Sequence, residues 1–186
     1  MTVHRLPHDL PVPTDDGAAD HVPESSAPGV RLASTDGGTI ALDELGPCRT
    51  VLYLYPRTGR PEQHEPPGWD EIPGARGCTP EACGFRDHHE ELRTAGASRV
   101  FGLSSQDTAD QREAVDRLGL PFALLSDPEL ELAAAMKLPT FTTVDAERLY
   151  KRLTMVVSDG AVEHVFYPVF PPDEHADEVL AWLRAR

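Results

Sequence analysis

The sequence has few cysteines, few aromatic residues and no apolar run long enough to cross a membrane. Three of its 186 residues are cysteine, and 6% are aromatic. Three thiols and no recognisable export signal argue against a secreted fold held by disulfides. We therefore expect a cytoplasmic protein whose cysteines are thiols at rest. A GxGxxG or GxxxxGK[ST] segment is also missing, so nothing in the sequence supports nucleotide chemistry.

Acidic residues outnumber basic residues in this chain. The chain has 31 Asp and Glu against 17 Lys and Arg, which gives a formal net charge of −14. Such a surface repels phosphate backbones and anionic membranes, so we predict that neither nucleic acid nor membrane is a partner. Hydrophobic residues make up 40% of the chain and charged residues 26%, which is typical of a soluble globular protein.

The first 28 residues differ in composition from the rest. Acidic and small residues separate the prolines of this segment, which are Pro7, Pro11, Pro13, Pro23 and Pro28. We predict that residues 1–28 form an extended N-terminal arm with no core of its own. Residues 29–186 are predicted to form one domain, which is an ordinary length for a single core.

Residues 29–186 alternate between strand and helix patterns. "GVRLASTDGGTIALDEL" predicts two short strands, "RTVLYLYP" a central strand, "SRVFGLS" and "FALLS" two more, and "YKRLTMVVSDGAVEHVFYP" a hairpin that turns at Asp159-Gly160. Helices are predicted from Thr79 as N-cap, over "DTADQREAVDRLGLP", from Asp127 as N-cap and over "DEHADEVLAWLRAR". This order predicts an α/β fold with helices on both faces of the sheet.

A loop of twenty residues, 57–76, separates the central strand from the next helix. Its sequence "RTGRPEQHEPPGWDEIPGAR" contains four prolines and three glycines and has no period. Long irregular loops inside compact domains tend to be functional. We therefore expect this segment to have a role at a site.

Two of the three cysteines, Cys78 and Cys83, stand at and just inside the start of the predicted helix. A zinc site with His88 and His89 is one interpretation, but structural zinc ligands usually stand two to four residues apart on turns. A resting disulfide is disfavoured, because five residues of ideal helix separate the Cα atoms by about 8.6 Å, whereas bridged cysteines rarely exceed about 7 Å.

A redox role and a plain packing role both remain open for these thiols. The start of a helix favours a thiolate, which is the nucleophilic form of cysteine. Cys83 is placed to capture an oxidised Cys78 after local unfolding of the helix. Buried free cysteine, however, also serves as a small hydrophobic residue. Of these interpretations, the redox role fits the position and spacing best.

Several segments resemble one family. "GCTPEACGFRD" is similar to the active-site helix of the peroxiredoxins, in particular the peroxiredoxin Q or bacterioferritin-comigratory type. "VFGLSSQDTADQREAVDRLGLPFALLSDPE", "YKRLTMVVSDG" and "VLYLYP" resemble further segments of that family in the same order, so the resemblance covers roughly residues 28–186. It implies a thioredoxin-like fold with a mixed central sheet and a peroxidase that uses no metal, haem or flavin cofactor.

The resemblance also implies roles for individual residues. Cys78 would attack the peroxide, and Cys83 would resolve the resulting sulfenic acid as an intramolecular disulfide. Arg152 matches the family arginine that steadies the thiolate, and Glu81 matches the residue that orients this arginine. Each residue also has an alternative interpretation. Arg152 could be an ordinary surface charge, and Glu81 could be a carboxylate that is favoured at the start of a helix.

One part of the family motif is absent. The family usually has threonine three residues before the reactive cysteine, where this chain has Ala75. Thr58 stands near the start of residues 57–76, so either the insertion after it folds it back to the site or the hydroxyl is missing. An alternative function follows: a redox enzyme of the same fold that acts on the thiol or disulfide of a specific metabolite, with residues 57–76 as a substrate lid.

The implied partners are a hydroperoxide substrate and a thioredoxin-like or small-thiol reductant. A monomer and a homodimer are both compatible with the sequence.

Overall fold

A computed structural model describes residues 6–7 and 9–186. The strands are β1 (Arg31–Ser34), β2 (Thr39–Ala41), β3 (Arg49–Leu54), β4 (Ala97–Ser104), β5 (Leu124–Ser126), β6 (Thr140–Thr142), β7 (Arg148–Tyr150), β8 (Leu153–Ser158) and β9 (Ala161–Phe166). The helices are α1 (Cys78–Asp87), α2 (His89–Thr94), α3 (Thr108–Leu118), α4 (Glu131–Met136) and α5 (His175–Arg184).

Seven strands form one mixed sheet in the order β2-β1-β5-β4-β3-β8-β9. The strands β3, β4 and β5 are parallel, whereas β8 pairs antiparallel with β3, and β1 antiparallel with β5. The run "RTVLYLYP" is therefore a central strand, as predicted. The predicted hairpin is also present, because β8 and β9 pair around Asp159-Gly160.

Alternate residues of β3 face two different cores. Val51 and Tyr53 pack with residues of α1, α2, α3 and α5. Leu52 and Leu54 pack on the opposite face with α4 and with part of the N-terminal segment. Because successive side chains of a strand point to opposite faces, a strand covered on both sides is apolar throughout. The prediction of helices on both faces of a mixed sheet is confirmed.

The start of α1 differs from the prediction. The helix begins at Cys78, and its N-cap is Gly77 rather than Thr79. Gly77 has a φ of 111°, and a Cβ atom there would lie 2.3 Å from Cγ of Pro172. Only glycine fits this backbone and this close approach. The helix therefore starts one residue after the glycine, which places Cys78 in its first turn.

Asp127 caps α4, but it stands further before the helix in the sequence than predicted. The N-cap residue is Leu130, and the helix begins at Glu131. The Asp127 carboxylate accepts hydrogen bonds from the backbone N–H groups of Glu131 at 2.8 Å and Leu132 at 3.0 Å, and from the Tyr150 hydroxyl. A tertiary contact from β7 thus fixes the carboxylate. The hairpin of β6 and β7 was not predicted, because strands of three residues carry little periodic signal.

The second half of the predicted arm packs on the domain. Val22 is fully buried in the core that contains α4. The backbone N–H of Glu24 donates to the carbonyl of Val162, and that of Ala27 to the carbonyl of Gly160, each at 2.8 Å. The part of the prediction that concerns residues 1–5 and 8 lies outside the described residues. The boundary at residue 28 stays a prediction.

Polar contacts also fix the arm at Asp16. Asp16 accepts hydrogen bonds from Lys151 and from the hydroxyl of Tyr167, each at 2.7 Å. These contacts lower the pKa of Asp16, with the Lys151 bond as the largest cause. In the described part of the chain, the helices are too short and too polar to cross a membrane.

Truncation of Val22 tests whether the N-terminal segment contributes to the domain core. Val22→Ala should lower the free energy of unfolding by about 1–3 kcal/mol, because it leaves a cavity in a packed core. The matched control is Val12→Ala, since Val12 is 63% exposed; its effect should stay within about 0.5 kcal/mol. Urea denaturation of both variants measures the difference. Equal midpoints would show that the segment adds no core stability.

Candidate active site

Cys78 lies at the first turn of α1, at the bottom of a cavity of about 180 Å³. The residue is 5% exposed and packs in the core that contains Tyr53 and Phe85. The three cysteines, all in the described part of the chain, are free thiols. The Cys78 thiol is thus shielded from bulk solvent and is reached through this cavity.

Arg152 contacts the Cys78 sulfur and pairs with Glu81. Arg152 directly precedes β8, and its Nη2 atom donates to the Cys78 sulfur at 3.2 Å and to the Ala75 carbonyl at 3.2 Å. Its Nη1 atom donates to the Glu81 carboxylate, so Arg152 lies between Glu81 and the sulfur. The two side chains are 1% and 0% exposed. The structure therefore brings together three of the five residues predicted for the site and leaves no solvent between the guanidinium and the carboxylate.

Opposing effects act on the pKa of Cys78. Burial raises the pKa of this thiol, and the Arg152 guanidinium beside it lowers the pKa in part, as does the backbone amide of Arg57. Burial likewise raises the pKa of Glu81, against the effect of Arg152. The helix start alone was expected to favour the thiolate. In the folded chain a buried arginine is the main group that opposes the cost of burial.

Cys83 lies further along α1 and is partly exposed. Burial raises the pKa of Cys83, and the nearby Arg86 opposes this effect. Because both cysteines belong to one continuous helix, the ideal separation of their Cα atoms, about 8.6 Å, applies to them. A bond between the two sulfurs therefore requires the first turns of α1 to unwind.

Thr58 lies beyond the end of β3, near the start of the loop 57–76, and its neighbours line the cavity. Its backbone N–H donates to Oε1 of Gln106 at 2.7 Å, and Nε2 of Gln106 donates to the Thr58 carbonyl at 3.1 Å. Burial raises the pKa of Tyr55 to about 12, and the Thr58 hydroxyl lies close enough to lower it in part. Arg57 and Gly59, on either side of Thr58, line the cavity at Cys78. The loop thus returns to the site, and a role for Thr58 stays a prediction.

The insertion, residues 57–76, is anchored by a small apolar cluster. Trp69 is 4% exposed and packs with Ala75 and Leu149, against Phe141 of β6. Ala75 is fully buried in this cluster and its carbonyl accepts from Arg152. Ala75 stands where threonine was expected. Its side chain packs against Trp69 and Leu149, which is an apolar environment that suits a methyl group better than a hydroxyl.

The four residues considered as zinc ligands do not converge. Nδ1 of His88 lies 3.2 Å from the carboxylate of Glu91, and the ring of His89 packs near Phe122. Within residues 6–7 and 9–186, groups of three or more His, Cys, Asp or Glu side chains that could hold a metal ion are not found.

Sequence reasoning missed the contribution of Arg57 and Gln106. Arg57 lines the cavity and acts on Cys78 through its backbone amide, and Gln106 holds the start of the insertion. In the sequence, only the position of each residue pointed to such a role. Arg57 follows the central strand, and Gln106 follows β4. In parallel sheets, the ends of neighbouring strands meet at one edge, where sites form.

The sequence profile described as Redoxin matches residues 19–180, which is most of the chain. The chain belongs to the redoxin family. This redoxin is 31% identical over 163 residues to peroxiredoxin Q, chloroplastic, from Oryza sativa subsp. japonica, an alignment that covers 87% of this chain and 66% of the rice protein. It therefore spans slightly less than two thirds of the length of that relative.

Solved structures agree with this assignment. The redoxin is similar to peroxidoxin BcpB from Mycobacterium tuberculosis, with a TM-score of 0.70 and 28% identity over 88% of this chain and 97% of that one. Peroxiredoxin Q from Xanthomonas campestris has a TM-score of 0.67 and 23% identity over 96% and 98% of the two chains, and shows the same fold. The resemblance to the peroxiredoxin Q type and the predicted thioredoxin-like fold are confirmed.

The dependence of Cys78 on Arg152 can be tested without leaving a buried charge. In a double variant, Arg152→Met with Glu81→Gln, both charges are removed together, because a lone buried carboxylate would destabilise the fold. The pKa of Cys78 should rise, since the effect of Arg152 outweighs that of Glu81 and burial remains. Alkylation by iodoacetamide at a series of pH values, followed by peptide mass spectrometry, measures this pKa.

Cys48 is exposed and serves as an internal reference in the same samples. Its alkylation profile should be the same in the wild type and the double variant. An unchanged profile at Cys78 would contradict the assignment of Arg152 as the group that favours the thiolate.

Proposed function

We propose that this redoxin is a thiol-dependent peroxidase that reduces hydrogen peroxide or organic hydroperoxides at Cys78. The observation that supports this best is the guanidinium of Arg152, which lies 3.2 Å from the Cys78 sulfur while the Glu81 carboxylate holds it from the other side. A fixed cation at this position stabilises the thiolate before the reaction. It also stabilises the negative charge that develops on the leaving oxygen.

The first step oxidises Cys78. The thiolate sulfur attacks the terminal oxygen of the hydroperoxide, so that an S–O bond forms and the O–O bond breaks. The second oxygen leaves with the bonding electrons and takes up a proton, which balances the proton lost by the thiol. The products are the sulfenic acid of Cys78 and an alcohol, or water when the substrate is hydrogen peroxide.

The second step involves Cys83. Its thiol attacks the sulfur of the sulfenic acid, which forms the Cys78–Cys83 disulfide and releases water. The residues share α1, so this step requires local unwinding of the helix. Cys83 is partly exposed, which supports such an opening, because the turn around it lies at the surface.

A dithiol then returns the enzyme to its starting state. A thioredoxin-like dithiol, or two molecules of a small thiol, supplies two electrons and two protons and is itself oxidised to a disulfide, while the enzyme disulfide is reduced to two thiols. A thiol reductant fits a cytoplasmic location. The low cysteine content of this chain agrees with the same location. The oligomeric form we propose is a monomer or a homodimer.

The position of the insertion favours a second candidate function. Six of its residues line the same cavity as Cys78, namely Arg57, Gly59, Glu65, Trp69, Ala75 and Arg76. A loop that covers the reactive thiol in this way suits an enzyme that oxidises or reduces one particular metabolite thiol, with residues 57–76 as the lid. Turnover of hydroperoxide with thioredoxin argues for the peroxidase, whereas turnover with one small thiol alone argues for the second function.

Mapping of the thiols after oxidation tests the proposed function. Reduced protein treated with one equivalent of hydrogen peroxide should form the Cys78–Cys83 disulfide within seconds, since a buried arginine activates Cys78. Cys83→Ser should instead trap the sulfenic acid on Cys78. Peptide mass spectrometry without reductant, with dimedone as the sulfenic acid reagent, distinguishes the two products.

Cys48→Ser is the matched control, because it removes a thiol that is exposed and outside the site. It should leave both the rate and the product unchanged. Oxidation of Cys78 at the slow rate of Cys48 would contradict the peroxidase proposal.

A further inference from the structure

The cavity at Cys78 is unusually basic for this chain. The whole molecule carries a net charge of −14, yet two arginines, Arg57 and Arg76, line the cavity, and Arg152 lies behind Cys78. The local field is therefore opposite to that of most of the surface. A positive cleft in an acidic protein concentrates anions at one place.

Arg57 is the cation in the cavity that lacks a strong partner. Its Nη1 atom lies 3.5 Å from the Glu147 carboxylate, which is beyond the usual length of a hydrogen bond, and Glu147 is 48% exposed. Its Nε atom is buried, and among the described residues no acceptor is in reach of it. A guanidinium has five donors, and a buried donor is normally satisfied. The weak contact with Glu147 leaves donor capacity at the Nη atoms of Arg57, and these atoms are the ones that can bind a further acceptor.

The other charged residues of the cavity are less available. Arg76 donates to the carboxylate of Asp70 at 2.7 Å, and Arg152 is occupied by Glu81 and Cys78. Glu65 is exposed, and its carboxylate lies against the backbone of Gly59. Among the described residues that line the cavity, Glu65 is the acidic one, and its charge opposes the binding of an anion.

The size of the cavity limits the ligand. A volume of about 180 Å³ equals that of about six water molecules in the liquid. A small molecule therefore fills this space, and a long fatty acyl chain would have to extend out of the cavity. The acceptor that matches the fork of a guanidinium is a carboxylate, which binds through two parallel hydrogen bonds.

We propose that the cavity selects small hydroperoxides that carry a carboxylate, and that Arg57 binds this carboxylate while the peroxide group reaches Cys78. The proposal rests on the peroxidase function and names its substrate class. The reaction itself is unchanged: the Cys78 sulfur takes the terminal oxygen, and the hydroxy acid leaves. Arg57 acts as a specificity residue, because it contacts the part of the substrate that does not react.

Two substrates of nearly equal size test this proposal: 3-hydroperoxy-3-methylbutanoate and its primary amide. Stopped-flow oxidation of Cys78 should be about tenfold faster for the carboxylate than for the amide, as expected for a charge-assisted hydrogen bond. In Arg57→Gln this ratio should fall to near one. In Glu65→Gln it should rise, because a repelling charge is removed.

Arg60→Gln is the matched control. It removes one positive charge three residues from Arg57. Because Arg60 pairs with Asp110, the ratio of the carboxylate rate to the amide rate should equal that of the wild type. Equal rates for the two substrates in the wild type, or an unchanged ratio in Arg57→Gln, would overturn the proposal while oxidation by hydrogen peroxide still supports the peroxidase. If hydrogen peroxide also fails to oxidise Cys78, both proposals are overturned.

Discussion

The buried ion pair of Arg152 and Glu81 is the interaction on which the arrangement around Cys78 depends. Both side chains are almost fully buried, and removing charges from water is costly unless each finds a partner. Arg152 meets that requirement by contacts with the carboxylate, the Ala75 carbonyl and the Cys78 sulfur. The pair therefore ties β8, α1 and the end of the insertion to one another, and it holds a cation where a thiolate has to form.

The insertion and the N-terminal arm complete the site from outside the pattern of strands and helices. Trp69 anchors the insertion on the small sheet of β6 and β7, and Leu6 and Pro7 of the arm line the same cavity as Arg57. The reactive sulfur is thus enclosed by segments that carry little regular structure. A rigid sheet with variable loops at one edge allows the surroundings of the thiol to change while its geometry is kept.

Most of the sheet and helices could be predicted because they follow local patterns. The continuous apolar run of β3, the Asp159-Gly160 turn and the predicted segment of α3, whose first residue Asp107 is the N-cap, all have local causes. The errors occurred where a distant residue decides a boundary. Pro172 requires glycine before α1, and Tyr150 holds the carboxylate that caps α4. Such contacts join residues far apart in the chain, so no window of sequence contains both partners.

The sequence by itself determined the reactive helix, the spacing of Cys78 and Cys83 and the candidates Arg152 and Glu81, because these residues stand in motifs that a family resemblance can identify. Only the tertiary structure decided how the residues meet. It placed Arg152 3.2 Å from a sulfur 74 residues away in the chain, and it turned Arg57 of an irregular loop toward the same cavity. The physical reason is that the effect of a nearby charge on the pKa of a thiol depends on their distance and burial. Both are set only when the chain is folded.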